Sequence, residues 1–347
     1  MKNKNTPIAS LGEFGLIEHL TQNNQTIHKE TIQSIGDDAA VLNYASNKSL
    51  LVTTDLLAEG IHFNLVYVPL IHLGYKAVAV NLSDIAAMNG IPKQITVSIA
   101  VSSKFSVESL EEIYEGIYVA CKKYNIDLIG GDTSNSMTGL FISITAIGEA
   151  NATDIVYRHG AQLNDLICVS GNLGASYMGL QLLEREYRLF KDLPDVQPDF
   201  SGKEYLLERQ LKPEPRFDVL DILKKENVKP TAMMDISDGL SSELMHICKQ
   251  SNKGCKIYSH KIPIDPVTAI TAEDFNMAPE TAALNGGEDY ELLFTVPLHE
   301  LDKIIKIPQI SVIGKIISPD EGMHLVTQDG KEIPLNAQGW NAFKPNS

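Results

Sequence analysis

Six aspartates stand where a protein chain seldom places free charge: at the end of a strand, at the start of a helix, or on an apolar helix face. They are Asp38, Asp55, Asp84, Asp132, Asp235 and Asp238. Clustered carboxylates with almost no His or Cys beside them suit a hard cation such as Mg²⁺. Because Mg²⁺ bridges carboxylates to substrate phosphates, several ions in one acidic cleft would imply a nucleoside triphosphate and phosphoryl transfer.

Asp84 is the clearest of the six. The stretch from Ala77 to Pro92 is apolar nearly all round, which predicts a buried helix, and Asp84 falls in line with Leu73 and Val80 on one face of it. A buried ionised Asp is tolerated only when it is paired, hydrogen-bonded or bound to metal, so the helix needs a cationic partner near Asp84. For one such residue alone, a bond to backbone or to an Arg is the better account, but Asp84 is one of six.

The other aspartates each have a plain account as well. Asp38 follows Asp37 at the mouth of a strand, where two adjacent carboxylates usually form a solvated turn, and Asp55 ends a strand predicted over residues 49–57. Asp132 follows paired glycines that break a short strand in residues 126–136, so it equally suits a close approach to a ligand and a simple turn.

Two further aspartates lie close together later in the chain. A strand at Thr231 to Met234 delivers Asp235, and Ser237 or Asp238 is predicted to cap a helix that begins at Gly239 or Leu240. An N-cap role is the better account of Asp238 taken alone. The six positions together, rather than any single one, predict the metal site.

Composition narrows the class of protein. A chain of 347 residues, 44% hydrophobic and 21% charged, is typical of a soluble globular protein with room for two domains. The net charge of −15 argues against a nucleic-acid or anionic-membrane surface. No apolar run approaches a membrane span, no signal peptide is evident, and four cysteines form no CxxC pair, so we expect reduced thiols and a cytoplasmic location.

The pattern of elements predicts an α+β or α/β protein of two domains. A restart near residues 150–154 divides a sheet-rich part, residues 1–150, from an α/β part, residues 151–347. Helices are predicted over residues 11–20, 107–124 and 175–188, and a polar surface loop over residues 190–202. Since neither GxxxxGK[ST] nor a GxGxxG after a strand occurs, a phosphoryl-transfer site here would rely on metal ions and on cations such as Arg158.

The acidic motifs together resemble the bacterial thiamine-monophosphate kinase family. The resemblance covers Gly12 to Trp340 in the family's order and rests on GDDAAVL (36–42), TTDLLAEGIHF (53–63), YKAVAVNLSDIAAMNG (75–90), LIGGDT (128–133), DISDGL (235–240) and GGEDYEL (286–292). It implies the fold of aminoimidazole ribonucleotide synthetase and selenophosphate synthetase, with a sheet-rich first domain that pairs in a homodimer. It also implies that ATP and thiamine monophosphate are the substrates, and that thiamine diphosphate and ADP are the products.

The same resemblance implies roles for individual residues. The expected Mg²⁺ ligands, for several ions, are Asp38, Thr53, Thr54, Asp55, Asp84, Asp132, Asp235 and Asp238, of which Asp55, Asp84 and Asp132 are also assigned to catalysis. The expected ATP contacts are Tyr114, Gly131, Asp132, Arg158 and Ser237. The expected thiamine monophosphate contacts are His62, Glu288 and Trp340. An aromatic face and a nearby carboxylate suit a cationic thiazolium. Two departures from the family pattern lie outside these positions: the predicted polar loop over residues 190–202, and Asn164, where the family often has Gly.

Two other functions compete with this interpretation. A sister enzyme of the same fold would carry a reactive N-terminal Cys in a Gly-rich segment, or a C-terminal Cys, but the first cysteine is Cys121 and the chain ends KPNS. A non-catalytic Ca²⁺- or Mg²⁺-binding module would need a contiguous D-x-[DN]-x-[DN]-G loop, whereas these carboxylates are scattered along the chain.

Overall fold

The computed structural model describes residues 31–33, 37–38, 40–45, 48–102, 105–192 and 197–337. The helix predicted over residues 11–20 and the predicted substrate contact Trp340 lie outside these ranges. Within them the chain forms two sheets, and the last strand of the first ends at Asn151 while the first strand of the second begins at Leu166. The division of the chain at residue 150 stays a prediction.

The first sheet has the strand order β1-β2-β3-β6-β4-β5 among the described residues. Its strands are β1 (Thr31–Gln33), β2 (Ala40–Ala45), β3 (Lys48–Ala58), β4 (Ile91–Val101), β5 (Asp127–Asn135) and β6 (Phe141–Asn151). Neighbours are antiparallel except β4 and β5, which run parallel. The predicted break at the paired glycines is wrong, because β5 continues through them as the outermost strand.

Two helices cover one face of this sheet. They are α1 (Leu70–Ala87) and α2 (Val107–Tyr124). They cross closely because Gly74 and Gly116 leave room for backbone: a Cβ at either would lie 1.9 Å from a carbonyl oxygen of the other helix. The helix predicted to run to Pro92 stops at Ala87, because Asn89 takes a left-handed φ of 57° and Ile91 begins β4.

The second sheet has the order β13-β12-β9-β11-β7-β10-β8. Its strands are β7 (Leu166–Ser170), β8 (Ala232–Asp235), β9 (Gly254–Tyr258), β10 (Leu292–Val296), β11 (Ile310–Ile317), β12 (Met323–Val326) and β13 (Glu332–Pro334). The helices of this part are α3 (Ala175–Asp192), α4 (Glu204–Leu211), α5 (Phe217–Lys225), α6 (Leu240–Ser251), α7 (Pro266–Asp274), α8 (Pro279–Asn285) and α9 (Leu301–Ile304). The loop predicted from residue 190 therefore begins later, since α3 continues to Asp192.

Helix α1 lies between the two sheets. It packs on β3, β4 and β6 of the first sheet and also contacts β8 of the second. From Leu73 to Ala87 every residue is buried except Asp84, which is partly exposed. Burial on all sides explains why this helix is apolar nearly all round. The predicted α+β class is confirmed, and no helix among the described residues has the length and apolarity to cross a membrane.

Candidate active site

Three buried or partly buried carboxylates meet where the two sheets approach each other. Asp38 precedes β2, Asp84 lies on α1 and Asp235 ends β8, and each offers an oxygen within 4.8 Å of the others. Asp55, near the end of β3, is close enough that its charge acts on Asp84. We call these four residues the acidic cluster. Segments far apart in the sequence supply it, so the fold rather than a local loop creates it.

The carboxylates of the acidic cluster repel one another and are shielded from water. Burial, followed by the charges of Asp55, Asp235 and Asp38, raises the pKa of Asp84 well above its usual range. Burial and then Asp38 raise the pKa of Asp235 to about 7 and that of Asp55 to about 6. Without a bound cation the cluster therefore stays partly protonated near neutral pH, and a divalent cation would displace those protons.

The hydrogen bonds of the cluster leave oxygens available to a metal. The Thr53 hydroxyl donates to Asp84, the Ser83 hydroxyl donates to Asp235 at 2.5 Å, and the Asp38 Oδ2 atom is buried without a hydrogen-bond partner among the described residues. The Asp84 side chain meets the Thr53 hydroxyl and other carboxylates, and the cationic partner expected beside it stays a prediction. An all-oxygen donor set that combines mutual repulsion with an unpaired buried oxygen fits a hard cation such as Mg²⁺.

Arg158 lies at the edge of the acidic cluster. Its guanidinium donates to Asp38 through Nε at 3.1 Å and through Nη2, and its backbone N–H donates to Asp37 at 3.2 Å. The Asp37 side chain is fully buried, and burial followed by the charge of Asp38 raises its pKa to about 7. The interpretation of Asp37 as part of a solvated turn is therefore wrong. A guanidinium at this point is placed to contact phosphate oxygens that approach the cluster.

Asp132 is not brought to the acidic cluster within one chain. Asp132 pairs in register with Ser98 on β4, and the same row across the sheet includes Leu56 of β3. The side chains of Ser98 and Leu56 are exposed on the face of the sheet that is turned away from α1. Asp55 faces α1 instead, and β5 is three strands from β3, roughly 14 Å at a strand spacing of about 4.8 Å. Gly131, the residue before Asp132, lies on the same edge strand.

Two other predicted residues also lie away from the cluster. The Thr54 hydroxyl, on the opposite face of β3 from Thr53, donates to the Ile144 carbonyl at 3.1 Å. Tyr114 lies on α2, next to the point where that helix crosses α1 at Gly74. Gly74 precedes Asp84 by ten residues, which is roughly 15 Å along α1. Within a single chain, neither side chain reaches the cluster.

A second polar group lies at the other end of α1. The Lys76 ammonium is 3.2 Å from the carboxylate of Glu288, and Gln210 Nε2 donates to that carboxylate at 2.9 Å. His62 lies near both charges: burial lowers its pKa, Glu288 opposes this and Lys76 adds to it. Its Nδ1 accepts from the backbone N–H of Ala58 at 3.0 Å, which fixes the ring. The structure thus brings the two described residues of the predicted acceptor site together.

The predicted cap of α6 differs from the structure. The N-cap residue is Gly239, with a φ of 130°, and no side chain caps the helix. The Glu243 carboxylate accepts instead from the backbone N–H of Asp238 at 2.8 Å, and the Ser237 carbonyl accepts from the N–H of Glu288 at 2.6 Å. The loop of Ser237 and Asp238 therefore links the acidic cluster to Glu288.

Sequence reasoning missed several residues of these two groups. Lys76, Ser83, Gln210 and Glu243 are all buried and polar. The signal for Lys76 was present: it is a lysine on a helix that is apolar nearly all round, about two turns before Asp84. Gln210 and Glu243 carry no such signal, because each acts through a contact distant in the sequence.

The fold and its acidic helix define a recognisable class. Residues 36–150 match the model of the AIR synthase related protein N-terminal domain family. The chain is also similar to the solved structure of AaThiL complexed with AMPPCP and TMP, with a TM-score of 0.83 and 34% identity over 98% of this chain and 100% of that one.

Full-length relatives specify the family more closely. The thiamine-monophosphate kinase of Aquifex aeolicus (strain VF5) is 35% identical over 97% of this chain and 99% of its own length. That of Bacillus subtilis (strain 168) is also 35% identical, over 96% of this chain and 100% of its own length. The chain belongs to the thiamine-monophosphate kinase family.

Proposed function

We propose that the chain carries out its family's reaction at the acidic cluster. This reaction is the ATP-dependent phosphorylation of thiamine monophosphate to thiamine diphosphate. The observation that carries the assignment is the convergence of Asp38, Asp84 and Asp235 from three separate elements, with oxygens within 4.8 Å of one another. Carboxylates that must otherwise hold protons suit the Mg²⁺ ions that accompany a nucleoside triphosphate.

The residues that would hold Mg²⁺ are those whose oxygens line the cluster. They are Asp38, Thr53, Asp55, Asp84 and Asp235, with Asp238 on the adjoining loop. Mg²⁺ held by these residues would supply positive charge to offset that of the phosphates. Arg158 is placed to donate hydrogen bonds to the same phosphates, for which it would exchange its present contact with Asp38.

The acceptor is held separately from the nucleotide. Glu288 and His62 lie together at the end of α1 remote from Asp84, where a carboxylate suits the cationic thiazolium of thiamine monophosphate. The acceptor oxygen belongs to a phosphate that is already ionised, so no general base is needed. Alignment of the two substrates by the two ends of α1 then supplies much of the rate.

We further propose that the protein is a homodimer formed through the first sheet. Leu56 on β3 and Ile129 on the edge strand β5 are 54% and 56% exposed, an unusual degree of exposure for large apolar side chains of a sheet. A second copy packed there would bury them, and it is also the route by which Asp132 and Gly131 reach a cluster from which their own chain holds them apart.

The test is a direct assay of purified protein. With ATP, Mg²⁺ and thiamine monophosphate we expect thiamine diphosphate and ADP in equal amounts, measured by chromatography. Thiamine without its phosphate is the matched control acceptor, and we expect no product from it. Hydrolysis of ATP to ADP and phosphate without thiamine diphosphate would refute the proposal.

A further inference from the structure

A buried lysine supports the acceptor end of the site. The Lys76 side chain is only 5% exposed, and its ammonium lies 3.2 Å from the Glu288 carboxylate and donates to the Gln210 carbonyl at 3.1 Å. An ammonium is costly to remove from water unless it is paired. If Lys76 served packing alone, an apolar residue at this position would give a more stable fold, so the charge points to a function.

The Glu288 carboxylate is held from two sides. Lys76 approaches it from α1, and Gln210 Nε2 donates to it from α4 at 2.9 Å. Gln210 is itself fixed, because its Oε1 accepts from the Ser176 hydroxyl at 2.6 Å. The Glu288 backbone has a left-handed φ of 57° and its N–H donates to the Ser237 carbonyl. With its side chain still 26% exposed, the carboxylate is fixed in direction and open to a ligand.

Lys76 and Asp84 belong to one rigid helix, with their side chains about 80° apart around its axis. Eight residues of α-helix place them about 12 Å apart along the axis. A buried helix packed on both sheets does not bend easily, so the distance between Glu288 and the acidic cluster is set by α1.

We propose that Lys76 is a positioning residue for the acceptor: it fixes the Glu288 carboxylate at a set distance from the acidic cluster, so that bound thiamine monophosphate directs its phosphate at the transferred group. Lys76 acts through Glu288. The inference rests on the proposed role of Glu288 in holding the acceptor, and the two are tested separately.

The decisive variant is Lys76→Met, which removes the ammonium and keeps an unbranched apolar chain. A displaced carboxylate should raise the KM for thiamine monophosphate by about tenfold to a hundredfold, while the KM for ATP stays within about twofold of wild type. Lys48→Met is the matched control, because Lys48 forms an exposed ion pair with Glu149 at 2.5 Å, remote from the site. We expect wild-type constants from it. A solely structural role would change both KM values and the melting temperature together.

Glu288→Gln and the double variant separate the possible outcomes. If Lys76 acts through Glu288, the double variant should be little worse than Glu288→Gln alone. A normal KM in Lys76→Met beside a raised KM in Glu288→Gln overturns the positioning role only, whereas a normal KM in Glu288→Gln overturns the acceptor assignment as well. If Lys76→Met does not fold, Lys76→Gln replaces it, and an unchanged KM there overturns the positioning role.

Discussion

Replacing Asp84 by Asn should separate what the acidic cluster costs the fold from what it contributes to catalysis. The change keeps the shape of the side chain and an oxygen that can accept from the Thr53 hydroxyl. It removes one of three carboxylates that lie within 4.8 Å of one another. At that separation and an effective dielectric constant of about 20, each ionised pair repels by about 3.5 kcal/mol.

The cluster avoids most of that repulsion by retaining protons, which sets the size of the effect. Burial and three neighbouring aspartates raise the pKa of Asp84 well above its ordinary 3.8. Keeping one such group protonated at about pH 7.5 costs at most about 5 kcal/mol. Because a buried amide has its own desolvation cost, we expect a net gain of about 1–3 kcal/mol in metal-free protein, seen as a few degrees in Tm.

Activity should change in the opposite direction. With a ligand of the proposed metal site removed, kcat should fall about a hundredfold or more, and Mg²⁺ should raise the Tm of the variant less than that of wild type. Scanning calorimetry in EDTA and in Mg²⁺, with the product assay, measures each quantity. Asp274→Asn is the matched control, because this α7 side chain is 57% exposed and remote from the cluster. Full activity in Asp84→Asn, or a lower Tm without metal, would refute the reasoning.

The remaining predictions concern pH, Arg158, the dimer and the tail. In EDTA, the free energy of unfolding should decrease as pH rises from about 4 to 7, since raised values such as the pKa of about 7 for Asp235 mean that the folded state binds more protons there; Mg²⁺ should remove this decrease in calorimetry. Arg158→Met should raise the KM for ATP about tenfold and lower the metal-free Tm, with Mg²⁺ restoring the Tm; an unchanged KM for ATP counts against a phosphate contact. Leu56→Asp should convert a dimer to monomers in light scattering, and a wild-type monomer at micromolar concentration would contradict the proposed interface. Trp340→Ala should raise the KM for thiamine monophosphate about tenfold and leave that for ATP unchanged, whereas a core role predicts a lower Tm and a loss for both substrates.

The local sequence pattern was sufficient to predict most helices and strands, but it did not show which residues come together in the site. The helix predicted over residues 107–124 has those bounds in the structure, where the Ser106 side chain caps its start, because an apolar stripe at helical spacing is a local signal. Asp38 and Asp132 both belong to glycine- and aspartate-containing motifs beside predicted strands, yet only Asp38 reaches the cluster in its own chain. What separates the two residues is the order of the strands in the sheet and the face of the sheet on which each side chain lies. A short motif encodes neither.

The polar residues of α1 explain how a buried helix can carry a site. Each is satisfied in a different direction: Asn81 accepts from the Asp55 backbone in the first sheet, Ser83 donates to Asp235 in the second, and Lys76 pairs with Glu288. Since burial removes alternative partners in water, each contact fixes the helix against one neighbour. Asp84 is the one residue between Leu73 and Ala87 that retains exposure, and the same packing that makes its charge costly holds it at the open edge of the cluster. A cation bound there would offset that cost at a carboxylate that the packing of α1 already holds in place.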